Sequence, residues 1–367
     1  MKILFTLKNF PPSNFGGVAA AMYPVIKELC KAPENNVKVL TTSYKIIKGR
    51  SPKTNCWTIF DGIPIIYVKS NAVFRYFFEG LRQIKNSDYI FLNGIFFVPN
   101  LLFLLVGVIF KRKIFLLPHG ELLKPALRTK YWKKCIYLWL MKGFTNNVTL
   151  ITTSKQESIR TQEVFPYLEV KIIPIFLDLN TPVNLIKLNQ FLFVGRIARI
   201  KKIENIILAC AYSKKFVSKN YKLVIAGPTD KEFLPYRREL EKLVISNNLQ
   251  FNIEFVGEVN SPEKEKLFSQ SKSLFVVSDS ENFSNVVVES LSQGTPVIAS
   301  KGTPWDSLIN HNAGFWIDNS PRSIAGKMDE IITMEDKVHK EMSINCISLS
   351  QKFTKQKILP LWFELMK

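Results

Sequence analysis

The chain has 367 residues and a formal net charge of +20; 47% of its residues are hydrophobic and 22% are charged. This length suits two α/β domains better than one, and the composition excludes an intrinsically disordered chain. Five scattered cysteines and three histidines argue against a disulfide framework or a zinc site, and they fit a reducing cytoplasm.

The basic charge is concentrated before residue 180, where 25 Lys and Arg stand against 10 Asp and Glu. Such a field favours anionic partners, namely phosphates, nucleic acid or an anionic membrane surface, although an ordinary solvated surface would give the same composition. Because no nucleic-acid-binding motif accompanies the charge, we expect no nucleic acid partner.

Short apolar runs alternate with helical patterns through the first half. Strands are predicted over 2–7, 37–42, 63–68, 89–92, 113–118, 148–154 and 170–175, and helices over 17–30 and 131–144. Residues 95–110 are almost wholly apolar but shorter than the roughly 20 residues of a membrane span. They predict a buried helix, with contact to a membrane as the alternative.

The strand pattern restarts after a polar stretch at 178–190 that we interpret as a linker. Strands are predicted over 191–195, 221–227, 253–257, 273–278, 296–300 and 313–317. Regular alternation of strand and helix indicates parallel sheets covered on both faces. Ligands of such sheets bind at the carboxyl edge, so the residues that follow each strand are the candidates for function.

Two candidates follow strands of the first half. Gly16 and Gly17 stand at a strand-to-helix turn, where glycine lets backbone amides approach a phosphate; a simple tight turn is the alternative. His119 follows the strand at 113–117, where an imidazole can bond a sugar hydroxyl or be structural.

Two more motifs lie in the second half. Arg196 and Lys201, in GRIARIKK, can together neutralise a diphosphate, or they form a solvated basic loop. Glu281 and Glu289 bracket a predicted helix with its cap near Ser284 or Asn285. A helix running through both glutamates would separate them by about 12 Å, enough for one to reach a sugar and the other a ribose.

The ordered set of these motifs resembles glycosyltransferase family 4. The match adds Gly120, the Thr153–Ser154 step, Gly257 and the Gly294–Thr295–Pro296 run. The resemblance implies a GT-B fold, with two Rossmann-like α/β domains facing each other across a cleft. Expected boundaries are 1–178, with 353–367 packing back on it, and 179–352.

The resemblance also implies residue roles. His119 and Glu281 would contact the donor sugar, Arg196 and Lys201 the leaving diphosphate, and Glu289 the ribose. Further donor-binding positions would be Gly16, Gly17, Phe283, Ser284, Asn285 and Gly227, and acceptor-side positions Glu121 and Ser154. Two departures stand out: Ile175 and Phe176 replace an Asn-Gly pair between the domains, and Lys202 replaces a glycine.

The activity implied is a retaining, metal-independent hexosyl transfer from a nucleotide sugar, with no further cofactor. Residues 119–140 and 301–305 resemble enzymes of bacterial O-antigen, lipopolysaccharide and other surface polysaccharide assembly. Their acceptors are usually lipid-linked glycans, so we expect a cytoplasmic protein peripheral to the inner face of the membrane. The alternatives are a nucleotide-sugar 2-epimerase of the same fold and a non-catalytic basic protein that binds membrane or nucleic acid.

Overall fold

A computed structural model describes residues 1–13, 17–44, 46, 52–143, 147–180 and 187–367. Within these ranges the chain forms two compact units. The first combines Met1–Phe176 with the C-terminal Gln356–Lys367, and the second is Leu177–Lys355. Residues 181–186 of the predicted linker lie outside the described residues.

The described part of the first unit is built on one eight-stranded sheet. Its strands are β1 Lys2–Thr6, β2 Asn36–Thr42, β3 Trp57–Phe60, β4 Ile63–Val68, β5 Tyr89–Asn93, β6 Lys113–Leu117, β7 Val148–Thr152 and β8 Glu169–Ile172. The helices before residue 176 are α1 Gly17–Lys31, α2 Val73–Lys85, α3 Val98–Ile109, α4 Lys124–Arg128, α5 Tyr131–Lys142 and α6 Lys155–Val164. The strand order is β3-β4-β2-β1-β5-β6-β7-β8, and only the β3–β4 pairing is antiparallel among these described strands.

The central strands are buried on both faces, which is why they appear in the sequence as continuous apolar runs. On one face of the sheet, α2, α3, α5 and α6 pack into a single core with Leu4, Leu92 and Leu116. Elsewhere in the sheet, the rings of Phe5, Phe91 and Phe115 stack with centroids 4.5 and 4.7 Å apart.

The second unit is a six-stranded parallel sheet within the described residues. Its strands are β9 Gln190–Val194, β10 Lys222–Ala226, β11 Ile253–Gly257, β12 Ser273–Val276, β13 Val297–Ser300 and β14 Gly314–Ile317. Its helices are α7 Ile203–Tyr212, α8 Lys214–Ser218, α9 Leu234–Ser246, α10 Glu263–Gln270, α11 Asn285–Ser292, α12 Ser307–Asn310, α13 Pro321–Thr333 and α14 Asp336–Ser350. The strand order is β11-β10-β9-β12-β13-β14.

The last helix, α15, spans Lys355–Glu364 and packs within the first unit from Gln356 onward. Its Trp362 is buried against Phe91, with ring centroids 6.0 Å apart. The Tyr89 hydroxyl donates to the carbonyl of Met366 at 2.6 Å, which fixes the C-terminus beside β5.

Each sheet has a point where the strand order reverses. In the second unit β9 pairs with β10 on one side and with β12 on the other. In the first unit β1 lies in the same way between β2 and β5. The connections leaving the carboxyl ends of such neighbours run to opposite faces of the sheet, which opens a crevice where α/β proteins bind ligands.

The two parallel-sheet units confirm the predicted α/β fold class, and each predicted strand is present to within three residues. Sequence reasoning missed β3, a short edge strand with partly exposed side chains. The expectation of a buried helix at 95–110 was wrong in part, because α3 buries only one side and exposes Val98, Leu102 and Ile109. Among the described residues, no helix has the length and apolar character needed to cross a bilayer.

Candidate functional site

The loop after β9 carries the first predicted pair of basic residues. Backbone hydrogen bonds from Gly195 to Ala226 and from Ile197 to Pro228, both 2.9 Å, hold the start of this loop against the end of β10. Arg196 remains half-exposed, with its guanidinium 3.6 Å from the Asp230 carboxylate. A long ion pair of this kind holds the side chain only weakly, so Arg196 is free to exchange Asp230 for another anion.

The loop after β12 meets the loop after β9 at the point where the strand order reverses. The amide of Asp279 donates to the Ile200 carbonyl at 2.9 Å, and the Lys201 ammonium pairs directly with the Glu281 carboxylate. The Ser278 hydroxyl donates to the same Glu281 oxygen at 2.8 Å. The structure therefore joins Lys201 and Glu281, which lie 80 positions apart in the chain, into one largely buried charge pair.

Glycines allow these loops to approach closely. A Cβ on Gly227, whose φ is +145°, would lie 1.9 Å from the Gly195 carbonyl oxygen. A Cβ on Gly302, in the loop after β13, would lie 2.5 Å from the Ser278 carbonyl oxygen. The Gly302 carbonyl in turn accepts from the Glu281 amide at 2.9 Å, so three strand ends fix the backbone of Glu281.

Glu281 does not belong to the helix that carries Glu289. Helix α11 begins only at Asn285, because Ser284 takes a left-handed conformation with a φ of +70°. The 12 Å separation of a continuous helix therefore does not apply. Ser284 occupies the cap position as predicted, but its side chain makes no capping hydrogen bond.

Phe283 serves as a packing group through its side chain. Its ring is buried and lies 5.5 Å from each of the rings of Trp305 and Phe353, and its carbonyl accepts from the Trp305 indole. The Phe283 ring is therefore used in packing, and only its backbone atoms could make the predicted contact with the donor nucleotide sugar. In the first turn of α11 the Val287 amide donates to the Ser284 carbonyl at 3.0 Å, and this end of the helix carries the positive end of the helix dipole.

Only one of the two carboxylate oxygens of Glu289 accepts a hydrogen bond in the described part of the structure. Its Oε1 accepts from Lys264 of α10 at 2.6 Å, while its Oε2 is buried without a hydrogen-bond partner. Both residues line a polar pocket of about 80 Å³, together with Asn180 and Gln293. A buried carboxylate oxygen without a donor is costly, so this atom is poised to accept from a ligand hydroxyl or a water.

A larger pocket of about 530 Å³ lies elsewhere in the second unit, beside the edge strand β14 and between α13 and α14. Phe315, Met334 and Met342 contribute to its walls. None of the predicted site residues lines it. Its volume would suit a small ligand, but the chemistry-bearing side chains lie at the other site.

In the first unit, His119 follows β6 with a left-handed φ of +50°. Its Nε2 lies 2.8 Å from the side-chain oxygen of Asn93, the last residue of β5. Burial lowers the pKa of His119 to about 4, so the imidazole is neutral at pH 7. With Nε2–H donating to Asn93, the Nδ1 atom is the acceptor that remains.

A buried carboxylate supports the loop after His119. Glu157 of α6 accepts from the Gly120 amide at 2.5 Å and from the Thr153 amide at 2.8 Å. Ser154 caps α6 by accepting from the Glu157 amide at 3.2 Å. Ser154 is therefore accounted for structurally, and no contact assigns it to an acceptor.

Glu121 lies beside the end of β5, where it accepts from the Phe96 amide at 2.9 Å. Burial is the main reason that its pKa is raised. Gly17 opens α1 with space around its Cα, while Gly16 lies outside the described residues. Among the side chains that the structure describes, no three of His, Cys, Asp and Glu gather where they could hold a metal ion.

Sequence reasoning missed Asn93, Glu157 and Lys264. Glu157 had a readable signal, since Ser154-x-x-Glu157 is the spacing of a helix capping box. Lys264 gave none, because its contact with Glu289 depends on the packing of α10 against α11.

Residues 182–347 match the family described as glycosyl transferases group 1. An uncharacterized glycosyltransferase of Methanocaldococcus jannaschii is 33% identical over 146 residues, a match covering 39% of this chain and 36% of that protein's length. A Campylobacter jejuni protein is 22% identical over 100% of this chain and 98% of its own. Its name is GalNAc-α-(1→4)-GalNAc-α-(1→3)-diNAcBac-PP-undecaprenol α-1,4-N-acetyl-D-galactosaminyltransferase.

Among solved structures, Anabaena HepE in complex with UDP superposes with a TM-score of 0.78. The superposition covers 100% of this chain and 99% of that one at 16% identity, which establishes a common fold. The chain thus has the GT-B fold of these glycosyltransferases, and its second unit matches the group 1 glycosyl transferase family over residues 182–347.

Proposed function

We propose that this chain is a retaining glycosyltransferase that moves a hexose-type sugar from a nucleoside-diphosphate sugar to a lipid-linked glycan. The observation that carries the proposal is the arrangement in the second unit. There the Lys201–Glu281 pair lies where the strand order reverses, and Glu289 holds a buried carboxylate oxygen without a donor. Charged groups at such a point are a usual basis of an α/β binding site, and Glu289 lines a separate small polar pocket of the same unit.

The basic residues would receive the diphosphate. Lys201 brings a point charge that is held by Glu281, whose carboxylate in turn accepts from Ser278. Arg196 brings a guanidinium suited to two phosphate oxygens. Negative charge grows on the departing phosphate as the glycosidic bond breaks. Fixed cations at this position stabilise that charge without reorganising, which is the main way such a site lowers the barrier.

The acidic residues would fix the two hydroxyl-bearing ends of the donor. Glu281 faces Lys201 and can accept from sugar hydroxyls through its second oxygen. Glu289 would accept from ribose hydroxyls at Oε2, which satisfies the buried atom that the protein leaves unpaired. His119, neutral because of its burial, would bond a sugar hydroxyl through Nδ1 without adding charge.

The resemblance to family 4 supports transfer with retention at the anomeric carbon. In that reaction the bond from the anomeric carbon to the β-phosphate oxygen breaks, and the acceptor oxygen bonds to the carbon on the same face. The acceptor proton passes to the departing phosphate. No protein nucleophile is then needed, and the chain contributes position and charge.

The relatives support the substrate classes. HepE binds UDP in its solved complex, and the named Campylobacter transferase carries undecaprenol in the name of its acceptor. We therefore place the reaction in bacterial surface polysaccharide assembly, at an anionic membrane surface. The protein would be cytoplasmic and peripheral to that membrane.

A thermal-shift screen against UDP-, GDP-, ADP- and dTDP-sugars tests the donor class. One nucleotide family should raise the melting temperature, because a ligand that binds only the folded state stabilises it by mass action. Failure of every donor to shift the transition would contradict the proposal. Conversion of the donor to its epimer without any acceptor would instead establish the 2-epimerase alternative.

Glu281→Ala tests the role of the pair with Lys201. The change should reduce transfer by at least about 100-fold, since it removes the sugar contact and frees Lys201 from its fixed position. Glu330→Ala, at an exposed helical glutamate of α13, is the matched control. Transfer by Glu281→Ala at the rate of this control would refute the role given to Glu281.

A further inference from the structure

Three neighbouring helices of the first unit expose apolar side chains in stripes. On α2, Phe74 and Phe78 are one turn apart and 81% and 66% exposed, and Arg82 continues the same side of the helix. On α3, Val98, Leu102 and Ile109 follow helical spacing and are all exposed. Exposed large apolar residues are normal singly, but a repeat at helical spacing requires an explanation.

The third stripe lies on α5 and is aromatic. Trp132 is 80% exposed, Trp139 is 73% exposed, and Ile136 lies between them at 60%. Their spacing of four and three residues places them on one side of the helix. Tryptophan is enriched where proteins meet the headgroup layer of a membrane, because its ring is apolar and its N–H is polar.

The three stripes lie on helices that are tied to one another and share one core. Helices α2 and α3 pack together through Phe77 and Phe103, whose rings stack 6.2 Å apart. The start of α3 is tied to α5 by the Tyr137 hydroxyl, which donates to the Phe97 carbonyl at 3.3 Å. All three helices share one core on the same face of the sheet, so their exposed sides point away from that core. We call the exposed sides of α2, α3 and α5 the outer helical face.

The segment that contains the outer helical face is strongly basic. Residues 73–142 contain twelve Lys and Arg and three Asp and Glu, and one of those acids, Glu121, is partly buried. Arg82, Lys133 and Lys142 are exposed beside the stripes. Apolar stripes flanked by basic residues characterise helices that lie in the plane of an anionic membrane.

We infer that the outer helical face is the surface by which this chain docks on an anionic lipid bilayer, with Trp132, Trp139, Phe74 and Phe78 entering the headgroup layer. Pairing of two copies through this face would bring two strongly positive surfaces together, which like-charge repulsion opposes. The membrane instead supplies the opposite charge and an apolar layer at once. This inference deepens the proposed function by assigning the membrane contact to particular helices.

Vesicle co-sedimentation of the full chain tests the inference. We expect binding to phosphatidylcholine vesicles with about one third phosphatidylglycerol, and much weaker binding to phosphatidylcholine alone. Arg82→Gln with Lys133→Gln should weaken binding about fivefold for each charge removed. Trp132→Ser with Trp139→Ser should weaken it by roughly tenfold or more, because the inserted apolar area is lost.

Matched controls keep the test specific. Tyr167→Ser with Phe251→Ser removes two exposed aromatics elsewhere, and Lys214→Gln with Lys219→Gln removes two exposed charges of the second unit. Both control pairs should bind as the unmodified chain does. All variants change exposed residues, so unchanged unfolding midpoints will show that they fold.

Absence of binding to anionic vesicles, or equal binding by the tryptophan variant, would overturn the inference. A lipid-free dimer that dissociates in the tryptophan variant would also overturn it, because the face would then belong to a second copy. Donor binding measured by calorimetry is independent of lipid. A failure of membrane docking is therefore distinguishable from a failure of the proposed activity.

Discussion

Glu289 illustrates how one side chain can be held in place and still be unsatisfied. Lys264 pairs with Oε1 at 2.6 Å and thereby fixes the direction of the buried Oε2. Without the ammonium, the carboxylate would be free to rotate. We therefore regard Lys264 as a positioning residue for Glu289.

Lys264→Met should raise the KM for the donor by about tenfold with a smaller change in kcat. The ribose contact is made equally in the ground state and the transition state, so its loss weakens donor binding more than it slows the chemical step. Lys264→Arg should restore most of the affinity, since it keeps a cation at Glu289. Steady-state kinetics with varied donor concentration measure both effects. Equal KM values for the unmodified chain and Lys264→Met would contradict the positioning role.

The low pKa of the buried His119 should make the stability of the chain depend on pH. Its folded pKa of about 4 lies below the usual value near 6.5, so between these values the unfolded chain binds a proton that the folded chain excludes. Stability should therefore fall as the pH drops from about 6.5 towards 4. His119→Gln does not titrate and should lose stability less steeply over this interval.

Urea unfolding at pH 7 and at pH 5, monitored by amide exchange of β5 and β6, measures the free energy of unfolding of both proteins. The difference in free energy of unfolding between His119→Gln and the unmodified chain should narrow or reverse at pH 5. A gap that stays constant between the two pH values would mean that His119 titrates alike in both states.

The sequence identified Lys201 and Glu281 separately, because each follows a strand whose apolar run is easily read. Their pairing depends on β9 and β12 being neighbours, which strand patterns alone do not fix. Lys264 and Asn93 could not have been predicted, since no local spacing relates them to their partners. Close packing between elements that are distant in sequence decides these contacts.

Among the elements, the close approach of β9 and β10 depends on Gly227. Gly227→Ala should destabilise the second unit by about 2–4 kcal/mol, because the new Cβ meets the Gly195 carbonyl at 1.9 Å in a conformation that disfavours side chains. Chemical denaturation followed by amide exchange in β9 and β10 would measure the loss.

Gly326→Ala is the control for this prediction. Gly326 lies in α13 with nothing within 4 Å of the new Cβ, so alanine should stabilise by about 0.5–1 kcal/mol through helix propensity. A similar loss of stability in Gly227→Ala and Gly326→Ala would show that the contact between β9 and β10 does not cause the destabilisation.

Helix α3 shows a limit of reading structure from hydropathy. Its twelve residues are almost all apolar, which is the composition of a helix buried on every side. Composition alone cannot distinguish whether the second side of α3 would contact a protein core or a lipid surface. Burial in the folded chain shows that only one side of α3 faces the core, and the other side forms part of the outer helical face.

At the level of the full chain, the C-terminal helix contributes to the stability of the first unit. Trp362 is fully buried beside Phe91, so Trp362→Ala should cost about 3–5 kcal/mol. Amide exchange should show the loss in β1 and β5 and leave β9 and β12 unchanged. Trp132→Ala, at an exposed position, should change stability by no more than about 0.5 kcal/mol.

Two separate cores of alternating strands and helices explain why the fold class was readable from the sequence. Buried parallel strands give apolar runs at regular intervals, and each run locates a carboxyl end where function can lie. The nucleotide base, the sugar and the acceptor depend on side chains that no such pattern identifies.

Titration calorimetry with the best donor from the nucleotide-sugar screen measures how much Glu289 contributes to donor binding. Glu289→Gln should bind that donor at least about tenfold more weakly than the unmodified chain, while Glu330→Gln should bind it equally well. An unchanged Kd for Glu289→Gln would show that the second unit does not hold the donor through this carboxylate.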